Sequence, residues 1–255
     1  MTINVGKGNL MPDATLPAVA PTVIAFLQET ALFRDLNQTL LTQLTQDFRQ
    51  RSYRSGDVIF HQGDEGRNLF VIMRGTVRVY HLSPGGEETT ITILAPRQLL
   101  GEFSLLDGQP RSATAEAIST CTLLEMSAER CLYHLTHIPG LALALARQVV
   151  QKVRWTSMYA ESLARMDAAG RFLHFLLLYN EELGQVVTPG KRYELNLGLT
   201  QDELASLIGA RRQWVNKILG EWSVRELVAF DNGVLTILDL PRVQAERDSR
   251  MNLTG

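Results

Sequence analysis

Gly101-Glu102-Phe103-Ser104-Leu105-Leu106-Asp107-Gly108-Gln109-Pro110-Arg111-Ser112-Ala113-Thr114-Ala115 is the stretch on which the reading of the fold turns. Its glycine and glutamate open one turn of helix, Asp107-Gly108 ends it, and Pro110-Arg111-Ser112-Ala113 returns the chain to the strand-rich pattern around it. From Arg49 to Leu124, short apolar runs are bounded by Ser55-Gly56-Asp57, Gly63-Asp64-Glu65-Gly66, Arg74-Gly75 and Ser83-Pro84-Gly85-Gly86. Many short strands with glycine turns predict an antiparallel β-roll, or jelly roll.

Upstream, Val23, Phe26 and Leu27, then Leu40, Leu41, Leu44 and Phe48, recur at helical spacing and predict two short helices separated by a turn from Phe33 to Asn37. Residues 1–20 hold Gly6, Gly8, Pro12 and Pro17 without an apolar period, which predicts a flexible tail. After Pro139 the period is helical for about thirty residues, well beyond the usual length of about 11 to 12. Within it Val149, Val153, Thr156, Ala160 and Leu163 form a heptad seam of small or branched residues, which predicts two copies of the helix packed as a dimer.

Ala169 to Leu183 is a further helix, and Pro189-Gly190 turns the chain into a last unit. There Thr200 caps a helix with Glu203 three residues on, a capping box. That helix ends at Ile208-Gly209, and Arg212 to Leu219 opens a second, so the pair reads as a helix-turn-helix. Its second helix would bury Val215, Ile218, Leu219 and Trp222 and turn Arg211, Arg212, Gln213, Asn216 and Lys217 outward, residue types that read bases and bind phosphates. With Thr200 at the head of the first helix they form the candidate DNA-binding set. A hairpin around Asp231-Asn232-Gly233 makes the unit winged. The expected α+β architecture is a tail (1–20), a β-roll domain (21–138), a dimerisation helix (139–168), a winged helix-turn-helix domain (169–243) and a C-terminal tail (244–255).

The 255 residues suit two domains, and 45% hydrophobic with 20% charged residues is the mix of a folded, soluble chain. Twenty-five basic against 27 acidic residues leave a net charge of -2, so binding to nucleic acid must come from a local patch. Cys121 and Cys131 are too few for a disulfide scaffold, an iron–sulfur cluster or a four-cysteine metal site. His134 and His137 have no third ligand or carboxylate near them in sequence, so no metal is expected. Neither a membrane-spanning run nor a secretory leader is visible, and a cytoplasmic location is expected. No Ser-His-Asp set, P-loop or GxGxxG turn supports an enzyme.

The quoted stretch resembles the phosphate-binding cassette of cyclic-nucleotide-binding domains. Gly56 to Asp64 and Leu69 to Tyr80 are similar to that family's early strands. With the long helix and the helix-turn-helix, residues 21–243 resemble the cyclic AMP receptor protein and fumarate–nitrate regulator superfamily of bacterial transcription regulators, and most of all its cyclic AMP receptor group. The resemblance implies a ligand site of Gly101, Glu102, Phe103, Ser104, Arg111 and Ser112. A cyclic phosphate needs a cation and donors, for which Arg111, the Ser112 hydroxyl and main-chain amides are suited; Glu102 only accepts and would take a ribose hydroxyl proton.

Thr156 and Ser157 stand where the family places two hydroxyls that reach the purine, one from each subunit, and hydroxyls serve adenine or guanine. The implied effector is cAMP, with cyclic di-GMP, cGMP or 2-oxoglutarate as alternatives. The implied partners are double-stranded DNA, a second copy of the chain and RNA polymerase, with no membrane. A further alternative is a second-messenger-binding module whose C-terminal domain contacts protein. Three departures stand out: Arg212-Gln213-Trp214-Val215 replaces a frequent Arg-Glu-Thr-Val, Lys217 replaces a frequent Arg, and Glu226 occupies a place where glycine often ends the helix, which predicts strain or a different ending.

Overall fold

A computed structural model describes residues 21–251, so the tail expected over 1–20 lies outside the described residues. The chain divides into two compact units, one running to Arg78 and resuming over Pro96–Ala144, the other made of Val79–Ala95 and the chain from Leu145 onward.

The first unit begins with the two expected helices, α1 (Pro21–Glu29) and α2 (Gln38–Thr45), the second capped by the Asn37 side chain, which accepts the Leu40 N–H. The roll then follows as β1 (Arg49–Tyr53), β2 (Val58–Phe60), β3 (Asn68–Arg74), β4 (Val77–Leu82), β5 (Glu88–Leu94), β6 (Leu99–Leu100), α3 (Glu102–Asp107), β7 (Thr114–Ala117) and β8 (Cys121–Ser127). One antiparallel sheet has the order β1-β8-β3-β6, with Phe70 of β3 opposite Leu100 on one side and Glu125 on the other. Leu69 to Ile72 are all buried, so both faces of β3 are covered there. In a second sheet β7 pairs with β2, with Val58 opposite Glu116 and Phe60 opposite Ala115. Gly75 turns β3 into β4 at φ 86°, and a Cβ there would lie 2.5 Å from the Thr120 carbonyl oxygen, so only glycine fits.

A helix not expected before Pro139, α4 (Ala128–His137), follows β8; the Ser127 hydroxyl caps it by accepting the Arg130 N–H. The sequence expectation that no carboxylate accompanies His134 is corrected by the fold. Asp47 reaches α4, where its carboxylate accepts two 2.8 Å hydrogen bonds from Arg130 and lies 2.7 Å from His134 Nε2. Burial raises the Asp47 pKa, but the hydrogen bonds from Arg130 and His134 outweigh it and hold the carboxyl below its usual range. The trio is a hydrogen-bonded cluster around one carboxylate; among the described residues no group of three or more His, Cys, Asp or Glu is placed to hold a metal.

The second unit holds α5 (Pro139–Arg165) from Leu145 on, α6 (Ala168–Leu183), β9 (Gln185–Thr188), β10 (Arg192–Asn196), α7 (Gln201–Ile208), α8 (Arg212–Val224), β11 (Val228–Asp231), β12 (Val234–Ile237) and α9 (Leu240–Ser249). Its sheet has the order β11-β12-β10-β9, so the wing hairpin extends a hairpin formed around Pro189-Gly190. Asn232 and Gly233 both have positive φ, as a two-residue hairpin turn needs. Two expected boundaries move. The β4–β5 hairpin groups with the C-terminal elements because its backbone is satisfied there: Thr90 N–H donates to Ser206 Oγ at 2.8 Å, Ser206 Oγ donates to the Glu88 carbonyl at 2.9 Å, and Ile93 N–H donates to Tyr179 Oη at 3.0 Å. The tail expected from 244 is helix as far as Ser249, because Asp239 caps α9 and Pro241 starts it.

Helix α5 carries two stripes. Trp155 and Tyr159 stack on each other and pack against Phe175 of α6. On another face the predicted seam residues Val153, Thr156, Ala160 and Leu163 are exposed and Val149 is half-buried. Among the described residues no helix is long and apolar enough to cross a membrane.

Candidate functional site

The cassette is built around a buried guanidinium. Arg111 is 4% exposed; its Nη1 donates to the Gly101 carbonyl at 2.9 Å and its Nη2 to the Asn68 carbonyl at 2.6 Å. Its main chain is pinned as well, accepting from Gly63 N–H and donating to the Asp64 carbonyl. The guanidinium carbon sits 4.3 Å from the centre of the Phe60 ring, a cation–π contact. Nε is buried without a hydrogen-bond partner. Burial pushes the Arg111 pKa below the usual guanidinium value, while the charges of Glu102 and Asp64 oppose the shift. The result is a buried cation with two neutral acceptors, nearby carboxylate charge and one nitrogen, Nε, without a partner.

Glycines make this approach possible. Gly101, the residue before α3, has φ 89°, and a Cβ there would fall 2.3 Å from Arg111 Nη1. At Gly66 a Cβ would strike the Ser104 side chain at 2.2 Å. Glu102 and Ser104 are buried, whereas Phe103 and Ser112 are exposed. Six expected ligand residues are thus drawn into one corner of the first unit. Thr156 and Ser157 belong to the second unit, each hydroxyl donating one turn back along α5, to the carbonyls of Lys152 and Val153. Their oxygens keep accepting capacity. Phe60, Asp64 and Asn68 escaped the sequence reading; the Gly63-Asp64 turn was the available signal, but a contact between segments of different sheets, not local sequence, brings Asn68 to Arg111.

The helix-turn-helix follows the expected residues closely. Thr200 and Glu203 form the capping box, so the Thr200 hydroxyl is held by Glu203 on both its donor and acceptor sides. Gly209 ends α7 in the left-handed region at φ 63°. Val215, Ile218, Leu219 and Trp222 are buried beneath α8, while Arg211, Arg212, Gln213, Asn216 and Lys217 are exposed along its first turns. Arg212 Nη1 lies 3.1 Å from Asp202 of α7, and Lys217 lies 3.8 Å from Glu221. Asp202 is a neighbour that the sequence reading left out.

Comparison with known proteins gives the two halves their names. Residues 50–134 match the family described as Cyclic nucleotide-binding domain, and residues 170–246 the one described as Crp-like helix-turn-helix domain. The Cyclic AMP receptor protein of Thermus thermophilus is 31% identical over 191 residues, which is 74% of this chain and 84% of that protein. The chain belongs to the cyclic AMP receptor protein family. Another relative in that family, the CRP-like cAMP-activated global transcriptional regulator of Mycobacterium tuberculosis, is 26% identical over 217 residues, 85% of this chain and 96% of its own. The solved structure of FixK2 from Bradyrhizobium japonicum shares the fold with a TM-score of 0.70, covering 82% of this chain and 98% of that one at 17% identity. As a family member the protein is a cyclic-nucleotide-binding, DNA-binding transcription regulator, not an enzyme.

Proposed function

We propose that the effector is cAMP and that the protein acts as a homodimer on a pseudo-palindromic operator. The observation that carries the ligand reading is Arg111: a buried guanidinium whose Nε has no partner suits an anion that brings its own acceptor. Arg111 and Ser112 would hold the cyclic phosphate and Glu102 the ribose hydroxyl, with Gly101, Phe103 and Ser104 shaping the corner. Thr156 and Ser157 already spend their protons on α5 carbonyls, so they suit a ligand group that donates, which adenine offers at its 6-amino group and guanine at N1 and its 2-amino group.

The exposed seam of α5 supports pairing with a second copy, one hydroxyl set from each subunit reaching the purine. Two recognition helices would then meet half-sites one helical turn apart, about 34 to 36 Å. Thr200, Arg211, Arg212, Gln213, Asn216 and Lys217 would line that interface, with Arg212 and Gln213 on base edges. In this reading the protein works in the cytoplasm with RNA polymerase as a further partner. The deciding experiment is a calorimetric titration with cAMP, cGMP, cyclic di-GMP and 2-oxoglutarate, paired with gel shifts on a selected operator. Binding of cAMP together with ligand-dependent operator affinity is expected; preference for another effector, or equal operator affinity with and without ligand, would overturn it.

A further inference from the structure

Between the 27 residues of α5 and the 16 of α6 the chain leaves the helical path for only Met166 and Asp167. Both residues of this joint are gripped by arginines from elsewhere in the second unit. Arg171 donates through Nη1 to the Met166 carbonyl and through Nε to the Ile208 carbonyl at the end of α7, each at 2.9 Å. Asp167 divides its carboxylate: Oδ1 accepts the Gly170 N–H and so caps α6, while Oδ2 accepts Arg250 Nη1 at 2.8 Å.

Arg250, just past α9, donates to Glu246 Oε1 from Nε at 3.0 Å and Nη2 at 2.7 Å. The other oxygen of Glu246 accepts Arg225 Nη2 at 2.6 Å, and Arg225 is the C-cap of α8. Arg242 of α9 adds a bond to the Arg225 carbonyl. Packing repeats the connection, since a Cβ at Gly170 would meet the Arg250 Cβ at 3.0 Å. The Glu246 side chain at the centre of this relay is 15% exposed, against 47% for Arg225 and 40% for Asp167 at its ends. Hydrogen bonds from Arg225, with those from Arg250, hold the Glu246 carboxyl at about 2 despite the opposing effect of burial.

We propose that the Met166–Asp167 joint is tied to both helices of the helix-turn-helix, to the end of α7 through Arg171 and to the end of α8 through Arg250 and Glu246, so that the DNA-reading head turns with the joint as one piece. Glu246 and Arg250 are then positioning residues for the recognition helix, and α9 is a strut. The mechanical half of this proposal stands by itself; its consequence for effector control rests on the function proposed above.

Hydrogen exchange on the full-length chain, with Glu246→Gln and Arg250→Gln, tests it. Glu246→Gln should speed exchange by about tenfold both across the joint and at the end of α8, the factor expected when a charge-assisted hydrogen bond is lost. Arg250→Gln should loosen chiefly the joint, and it serves as the test if the first variant does not fold. Exchange that changes only within α9 overturns the strut. In gel shifts, the ratio of operator affinities with and without cAMP should fall in Glu246→Gln; full retention of the wild-type ratio overturns the positioning role. If the wild type shows no effector dependence while both segments loosen, the strut is supported and the proposed effector function fails instead.

Discussion

Arg111 and Arg212 place the same cation in opposite surroundings. The first is 4% exposed and fixed by two carbonyl oxygens and a ring; the second is 64% exposed at its side chain and pairs with the carboxylate of Asp202. A buried cation selects its partner by charge and fit and is barely screened by salt. An exposed one gains its strength only when DNA removes it from water, in competition with counterions. The sensor is therefore organised before its ligand arrives, whereas the reading head, in the homodimer proposed above, depends on being presented twice, at the correct spacing.

The largest expected effect comes from removing that second presentation. Val153→Asp puts a carboxylate on the α5 seam, where two would face each other across a dimer axis. Sedimentation should show monomers, and operator affinity should drop by about 10² to 10⁴, the gain normally supplied by linking two sites. A variant that remains dimeric with unchanged operator affinity would remove the seam from the argument. Next comes Arg111→Leu, which deletes the buried cation: calorimetry should record at least about a hundredfold loss of cAMP binding, from the loss of charge-assisted hydrogen bonds. Wild-type binding by this variant would break the contrast at its buried end.

Arg212→Ala probes the exposed end. Its cost should be about 1 to 3 kcal/mol, concentrated at one position of each half-site, as for a base-reading arginine. Raising salt should weaken operator binding steeply in wild type and leave cAMP binding almost level. Uniform weakening on every sequence would make Arg212 a phosphate contact, and an equally steep salt response in both assays would erase the distinction between the two environments.

Much of this was legible because the decisive signals are local. The cassette, the capping box at Thr200 and the buried face of α8 each lie within about fifteen consecutive residues, where period and caps can be read directly. What brings Phe60 to Arg111 is the register of β2 on β7, and what brings Asn68 is a contact between different sheets, neither of which a single segment encodes. Helix α9 was hidden for a different reason. Val243 is its one buried residue, so it has hardly any apolar stripe, and what fixes it to α6 and α8 is a set of charges. The cap at Asp239 with the following Pro241 was the sole local sign. In α4 the same role fell to Ser127.

The smallest expected effect separates the two helices of the reading head. Both end by the same pattern of hydrogen bonds: Ala210 N–H returns to the Ala205 carbonyl after α7, and Leu227 N–H returns to the Trp222 carbonyl after α8. The left-handed residue in the first turn is Gly209, but in the second it is Glu226, at φ 54°. The departure noted in the sequence is thus strain accepted in place, with the helix ending where a glycine would have ended it. A Cβ in that region costs about 1 to 2 kcal/mol, part of which the greater chain entropy of glycine takes back. Glu226→Gly should accordingly raise unfolding stability by up to about 1 kcal/mol, read as a higher urea midpoint at unchanged slope, while operator specificity stays as it is. A lower midpoint would mean that the Glu226 side chain contributes more to the end of α8 than its backbone strain costs.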